Sequence, residues 1–263
     1  MNKFKLSLII FFIFLLIAYL FGDTKKEKLD VVSVYKQNYF ISGDKEDAIK
    51  FQVSVKYNML YPTKWGLYSG YTMIAWWAIY DRSAPFKEYN HNPEIFWRFV
   101  SGDNFLNDKV LPGYVDYLQV GLVEHKSNGR NGEDSRSMNR SYLQGQFSYG
   151  TKYNIGLNLK VWKLYAVASD NEDIDNYIGI YRGEIFFKLL SKTVDELEKE
   201  RIYVAWGHGN NFKYGWMEAG LQTRIFTTKV QPRFFVQCWY GYNEFLIRYN
   251  KKDFKIRGGV LFK

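Results

Sequence analysis

The sequence contains one cysteine, three histidines and five prolines in 263 residues. Cys238 has no second thiol to pair with, so no disulfide frames the fold, which backbone pairing and burial must hold together. No CxxC, HExxH, P-loop or GxSxG pattern occurs. That removes the common zinc sites, the phosphate-cradling loops and the nucleophile elbow of α/β-hydrolases. Internal repeats, low-complexity tracts and a composition break marking a second domain are lacking as well. The net charge is +9, yet Lys and Arg are scattered, as on a solvated surface and lumen, and form no stripe for nucleic acid.

Long apolar runs are confined to the N-terminus. MNKFK, carrying Lys3 and Lys5, precedes LSLIIFFIFLLIAYLFG, and the charged stretch DTKKEKLD follows. A basic start, apolar centre and polar exit read as a secretory signal peptide over residues 1–22, with cleavage expected near Gly22 despite the lack of an A-x-A pattern. The competing reading is an uncleaved anchor, because a run of about 17 residues reaches the lower limit of a spanning helix. The mature chain, 23–263, has no second run of that kind. If it crosses a membrane, it does so with strands.

What is abundant is aromatic: 22 Tyr, 21 Phe and 8 Trp make up 19% of the chain. They fall in segments of strict alternation. Phe51, Val53, Val55, Tyr57 and Met59 are apolar while Gln52, Ser54, Lys56 and Asn58 are polar, the period of a strand with two unlike faces. The pattern returns at 154–161, 181–189, 217–225 and 254–262. These segments run about 10 to 16 residues, longer than a soluble strand needs and suited to a tilted membrane strand of about 9 to 11. With the export signal and charged alternate faces, they predict an all-β fold, a transmembrane antiparallel barrel of about twelve strands counted from residue 46 onward and including one near 244–250. A closed barrel leaves no backbone edge unpaired in lipid. Asp30 to Ser42 is expected to line or plug the lumen, and 193–201 to form a charged, helix-like connection. Trp76 with Trp77, and Trp239 with Tyr240, are expected to form interfacial girdles.

The polar stretch EHKSNGRNGEDSRSMNR, residues 124–140, joins two such strands. His125 and Ser127 are two apart and project from one face, about 6.6 Å of strand rise separating them. Asn139 on the next antiparallel strand can orient the far nitrogen of the imidazole. Hydroxyl, imidazole and orienting group are the parts of acyl-transfer catalysis, here with an amide in place of the usual carboxylate. The plain alternative is a turn, since Ser, Asn and Gly tolerate tight backbone. His91 and His208 lack comparable partners and read as structural or surface residues.

At these residues the chain resembles the outer membrane phospholipase A family, whose block runs His-x-Ser-Asn-Gly, a short gap, then Ser-Arg-Ser-x-Asn-Arg. His125, Ser127, Asn128, Gly129, Ser135, Arg136, Ser137, Asn139 and Arg140 match it in place. QNYFI, KFQVSVKYNML, AWW, SAPFKEYNHNP and GYNEFLIRYN are also similar to family segments, so the resemblance covers nearly the whole exported chain. It implies an outer-membrane, twelve-stranded barrel with its site on the lipid-facing side. There Ser127 would be the nucleophile, His125 the base, Asn139 the residue that fixes the imidazole, and the Gly129 amide part of an oxyanion hole. It further implies a calcium-dependent hydrolase of glycerophospholipid esters with phospholipase A1, A2 and lysophospholipase activity, switched on by homodimerisation. Ser135 and the carbonyl of Arg130 match calcium-ligand positions, and Ser83 matches one lent by a second subunit. Gly132 stands where some relatives have an acid, and Met73 where one has a polar residue at the subunit contact. The competing class is a porin or adhesin barrel without turnover; a soluble lipid-binding barrel is a third reading.

Overall fold

A computed structural model describes residues 31–43, 49–61, 66–100, 115–150, 153–190, 198–210, 212–224 and 232–262. The signal segment 1–22 lies outside them. The described strands are β1 (Val32–Val34), β2 (Asn38–Ser42), β3 (Ile49–Asn58), β4 (Leu67–Trp77), β5 (Phe86–Val100), β6 (Val115–Ser127), β7 (Ser137–Tyr149), β8 (Tyr153–Val167), β9 (Tyr181–Leu190), β10 (Glu198–His208), β11 (Gly215–Arg224), β12 (Arg233–Gly241) and β13 (Asp253–Phe262). One helical turn, α1 (Asp175–Ile178), interrupts the β8–β9 connection. Strands from β3 onward pair with their sequence neighbours, all antiparallel.

The barrel closes through β2, which pairs with β13 on one side, Asn38 opposite Phe262, and with β3 on the other, Phe40 opposite Phe51. The short β1 continues along the same edge of β3. Twelve strands, β2 to β13, therefore form the cylinder. Residues 38–42 do not plug the barrel but supply its twelfth strand, while Tyr35 and Lys36 beside them do reach inward to Glu94.

The strand expected near 244–250 does not exist. Glu244, Phe245 and Leu246 are buried in succession, which a strand with opposite-pointing neighbours cannot do. Residues 242–252 instead fold back as a turn. Its amides at Leu246 and Ile247 donate to the Glu88 carboxylate. In the same way the stretch expected to be loop at 193–201 enters β10 at Glu198, the residues before it lying outside those described.

The two faces are inverted relative to a soluble barrel. Val53, Val55, Tyr57, Ile155, Leu157, Leu159, Ile202, Val204, Phe254 and Ile256 point outward and exposed, while Ser54, Asn158, Lys160, Gln222, Gln237, Lys255 and Arg257 are buried inside. Water is replaced by hydrocarbon outside, so the apolar face belongs there and the polar lumen must satisfy itself. Adjacent aromatics divide accordingly. Trp239 faces inward against Trp216, with ring centroids 5.0 Å apart, whereas Tyr240 faces out. Trp76 is likewise buried, so neither pair forms a girdle as a pair. Where inward rings cross the sheet they lie on glycine: Tyr142 over its partner Gly121, and Tyr203 over its partner Gly220. Any β-carbon there would enter the ring.

Ion pairs and hydrogen bonds among the described residues cross the lumen. Lys36 and Tyr142 meet Glu94 at 2.7 and 2.5 Å, Arg98 donates to Gln119 at 2.7 Å, and Lys50 and Arg257 meet Glu244 at 3.0 and 2.6 Å. At the end carrying the β6–β7 connection, Ile174, Ile178, Leu246, Tyr249 and Met138 pack together. Over them Tyr177 stacks on Tyr214 at 4.6 Å and meets Tyr242 and Tyr249 at 5.3 and 5.4 Å.

Candidate active site on the outer face

β6 and β7 bring the polar block together. In their register His125 opposes Asn139 and Ser127 opposes Ser137. His125 and Ser127 share the outward face with the exposed Val123, while Glu124, between Val123 and His125, is buried inward. The His125 Nδ1 lies 2.8 Å from Asn139 Oδ1. An amide oxygen can only accept, so Nδ1 carries the proton and Nε2 keeps its lone pair, free to take a proton. Ser127 Oγ accepts a hydrogen bond from the Gly129 N–H at 3.1 Å. Among the described residues the hydroxyl is not bonded to His125, a looseness common in catalytic pairs without substrate. Gly129 has φ +65°, a left-handed conformation that turns its N–H back toward the serine and that a β-carbon would strain.

The loop is organised from within by Asn128, a buried side chain amid exposed neighbours. Its Oδ1 accepts from Arg130 N and Arg136 N, at 3.3 and 3.0 Å, and its Nδ2 donates to Asp134 O at 2.7 Å. One amide thus ties both sides of the loop. From the next connection Asn171, fully buried, grips the backbone of Ser137 at both ends: it accepts from the N–H at 3.1 Å and donates to the carbonyl at 3.2 Å. Behind the site Arg140 gives two bonds of 2.8 Å to Glu124, and Lys160 adds one of 2.7 Å. Arg140 follows Asn139 and Glu124 precedes His125, so this buried fork fixes the two strands that carry the amide and the imidazole.

Asn128, Glu124, Arg140 and Asn171 received no role in the sequence reading. Alternation was a usable signal for two of them, because positions 124 and 140 must face away from 125 and 139. Nothing local marked Asn171, which acts across a gap of 34 residues.

Ser135 follows a single 3-10 turn, Gly132–Asp134, and its N–H bonds Gly132 O at 2.9 Å. The Arg130 carbonyl and the Ser135 hydroxyl accept no hydrogen bond from a described residue. They are hard oxygens of the type a calcium ion takes. Among the described residues no cluster of three acidic, histidine or cysteine side chains is present. Ser83 stands apart, on the 78–85 turn at the same barrel end, with φ +73° beside Ala84 at +42°. The turn is held by Trp77 Nε1 donating to Ala84 O at 2.9 Å. A non-glycine pair in that region costs energy and persists only where its surroundings impose it. Ser83 makes no described contact with His125, Ser127 or Asn139. Within one chain it is not part of their cluster.

The family model for phospholipase A1 matches residues 4–262. The chain belongs to the phospholipase A1 family. Phospholipase A1 of Salmonella typhimurium is 29% identical over 249 residues, spanning 92% of this chain and 78% of that one. Phospholipase A1 of Escherichia coli is 31% identical over 224 residues, spanning 82% and 70%. Among solved structures, outer membrane phospholipase A from Escherichia coli is similar with a TM-score of 0.71 at 27% identity, covering 89% of this chain and 99% of that one. The calcium-bound dimer of the Salmonella typhi outer membrane phospholipase gives 0.72 at 25% identity, covering 91% and 94%. This member of the phospholipase A1 family is an outer-membrane β-barrel, and His125 and Ser127 stand on the face of β6 that carries the exposed Val123.

Proposed function

We propose that this protein is a calcium-dependent outer membrane phospholipase A that hydrolyses glycerophospholipid esters and works as a homodimer. One observation carries the reading: an imidazole tied to an amide oxygen at 2.8 Å, two residues from a serine, on the outer face of a membrane barrel where acyl chains lie. Ser127 is the nucleophile, His125 the general base through Nε2, and Asn139 the residue that holds its tautomer. The Gly129 N–H, already directed at Oγ, becomes a donor to the oxyanion that forms when the ester carbon is attacked. An active-site mutant of the Escherichia coli outer membrane phospholipase A, solved as a structure, replaces an asparagine by alanine, which supports a working role for Asn139. The proposal covers acyl cleavage at either glycerol position and of lysophospholipid, the A1, A2 and lyso activities.

Calcium fits the residues present. The carbonyl of Arg130 and the hydroxyl of Ser135 would hold it, with Ser83 of the partner subunit adding a third oxygen and water filling the rest of the shell. When bound, the ion supplies positive charge that polarises the ester carbonyl. The relative crystallised as a calcium-bound dimer supports both metal and pairing. Ion pairs that cross the lumen speak against the porin reading.

The deciding experiment is fatty-acid release from phospholipid micelles by detergent-refolded protein, with calcium or excess chelator, beside Ser127→Ala. Calcium-dependent release lost in the variant is expected. Release that survives in Ser127→Ala would overturn the nucleophile, and none from folded protein under any condition would overturn the enzyme reading.

A further inference from the structure

From the sequence His91 reads as a structural or surface residue, yet β5 brings it beside Ser127. It is the cross-strand partner of Ser127, and such partners stand on one face with β-carbons about 4.5–5.5 Å apart. A β-carbon built on Gly129 would lie 3.4 Å from His91 Cδ2 and 3.6 Å from its Nε2. The imidazole therefore abuts the residue whose amide reaches Ser127 Oγ. Its far nitrogen, Nδ1, is 2.7 Å from the Tyr71 hydroxyl, and the ring is flanked by Tyr71 and Tyr89 with centroids 6.2 and 6.3 Å away. Orientation is thus set from two sides, with the Nε2 edge turned to Gly129.

We propose that His91 is a further catalytic residue, a second oxyanion donor contributed by β5. In this role the Tyr71 hydroxyl is the donor to Nδ1 across their 2.7 Å contact, and the neutral ring then carries its proton on Nε2 and presents an N–H. Ser127 Oγ bonds to the ester carbon and passes its proton to His125 Nε2, while the carbonyl π pair moves to oxygen. That oxygen accepts from Gly129 N–H and from His91 Nε2–H, and His91 keeps its proton throughout. On collapse the pair returns, the carbon–oxygen bond to the lysolipid breaks, and His125 gives the proton to the departing alkoxide. Water then repeats the sequence on the acyl-serine, releasing fatty acid. His125 and His91 divide the work: one moves the proton, the other only donates a hydrogen bond.

This inference rests on Ser127 being the nucleophile, so the test keeps the two apart. Detergent-refolded His91→Leu, His91→Gln and Tyr71→Phe are assayed beside the parent and Ser127→Ala for kcat and KM on mixed micelles, with chemical crosslinking to read subunit pairing. Removing an oxyanion donor typically lowers kcat about 10²–10³-fold, and His91→Leu should fall in that range with KM and pairing unchanged. His91→Gln, which keeps an N–H, should regain at least roughly tenfold of the loss, and Tyr71→Phe, which frees the tautomer, should lose kcat to a smaller degree. An unchanged kcat in His91→Leu, a loss that glutamine does not recover, or a loss that follows a shift to monomer would each overturn the role of His91. Hydrolysis by Ser127→Ala would instead bring down the reading beneath it.

Discussion

At the scale of single residues, the proposed mechanism depends on which nitrogen holds which proton. Asn139 accepts from Nδ1 of His125, and its loss lets the imidazole rotate and exchange tautomers. Asn139→Ala should therefore lower kcat, by less than Ser127→Ala does, while KM stays near the parent value; steady-state kinetics at saturating calcium would check it. Gly129 tests the backbone part. Alanine at φ +65° costs about 1–2 kcal/mol of backbone strain, relieved by swinging the N–H off the serine. Gly129→Ala should fold, shown by its heat-modifiable shift on a denaturing gel, and lose kcat.

At the scale of elements, connections between strands position the site and close the barrel end. Asn171 holds Ser137 by two bonds, so Asn171→Ala strips the Ser137 N–H of its partner at a cost of about 1–3 kcal/mol, while the carbonyl keeps the Ala168 N–H at 3.0 Å. The expected readout is a lower unfolding midpoint together with a lower kcat, because the displaced backbone lies two residues from Asn139. The 242–252 turn is held differently, by charge. Burial pushes the Glu244 carboxyl up, but Lys50 and Arg257 outweigh it and hold it below the usual carboxylate range. A depressed group stabilises fully above its unfolded value of about 4.3 and loses that contribution as pH falls through the lower folded value. Glu244→Gln leaves two buried cations short of an anion, a loss of roughly 3–5 kcal/mol at neutral pH. Denaturant titrations at pH 7 and below pH 4 should show the parent converging on the variant in acid.

At the scale of the whole molecule, the barrel is a solid support with an apolar skin. Planar bilayers containing the refolded protein should show no steady open-channel conductance, since ion pairs and rings cross the lumen. Cys238 gives a second check. It lies on the outward face of β12 between the buried Gln237 and Trp239. In vesicles it should react with a lipid-soluble maleimide and resist a charged, water-soluble one; the reverse would place it in the lumen.

Period-two alternation needs no tertiary information, because successive side chains leave a strand on opposite faces wherever the strand ends up. That is why the run from Phe51 to Met59, the inverted faces and the all-β class were readable in the chain, and why the pairing of His125 with Asn139 across a short loop could be anticipated. The same local rule failed where burial came from elsewhere. GYNEFLIRYN looks like a strand until Glu88, Lys50 and Arg257 draw Glu244 and its neighbours inward, and 38–42 becomes a barrel strand only because β13 returns to pair with it. His91 and Asn171 belong to this second kind. Residue type and spacing determined the membrane barrel and the core of its site; long-range strand register alone decided which distant side chains stand beside Ser127.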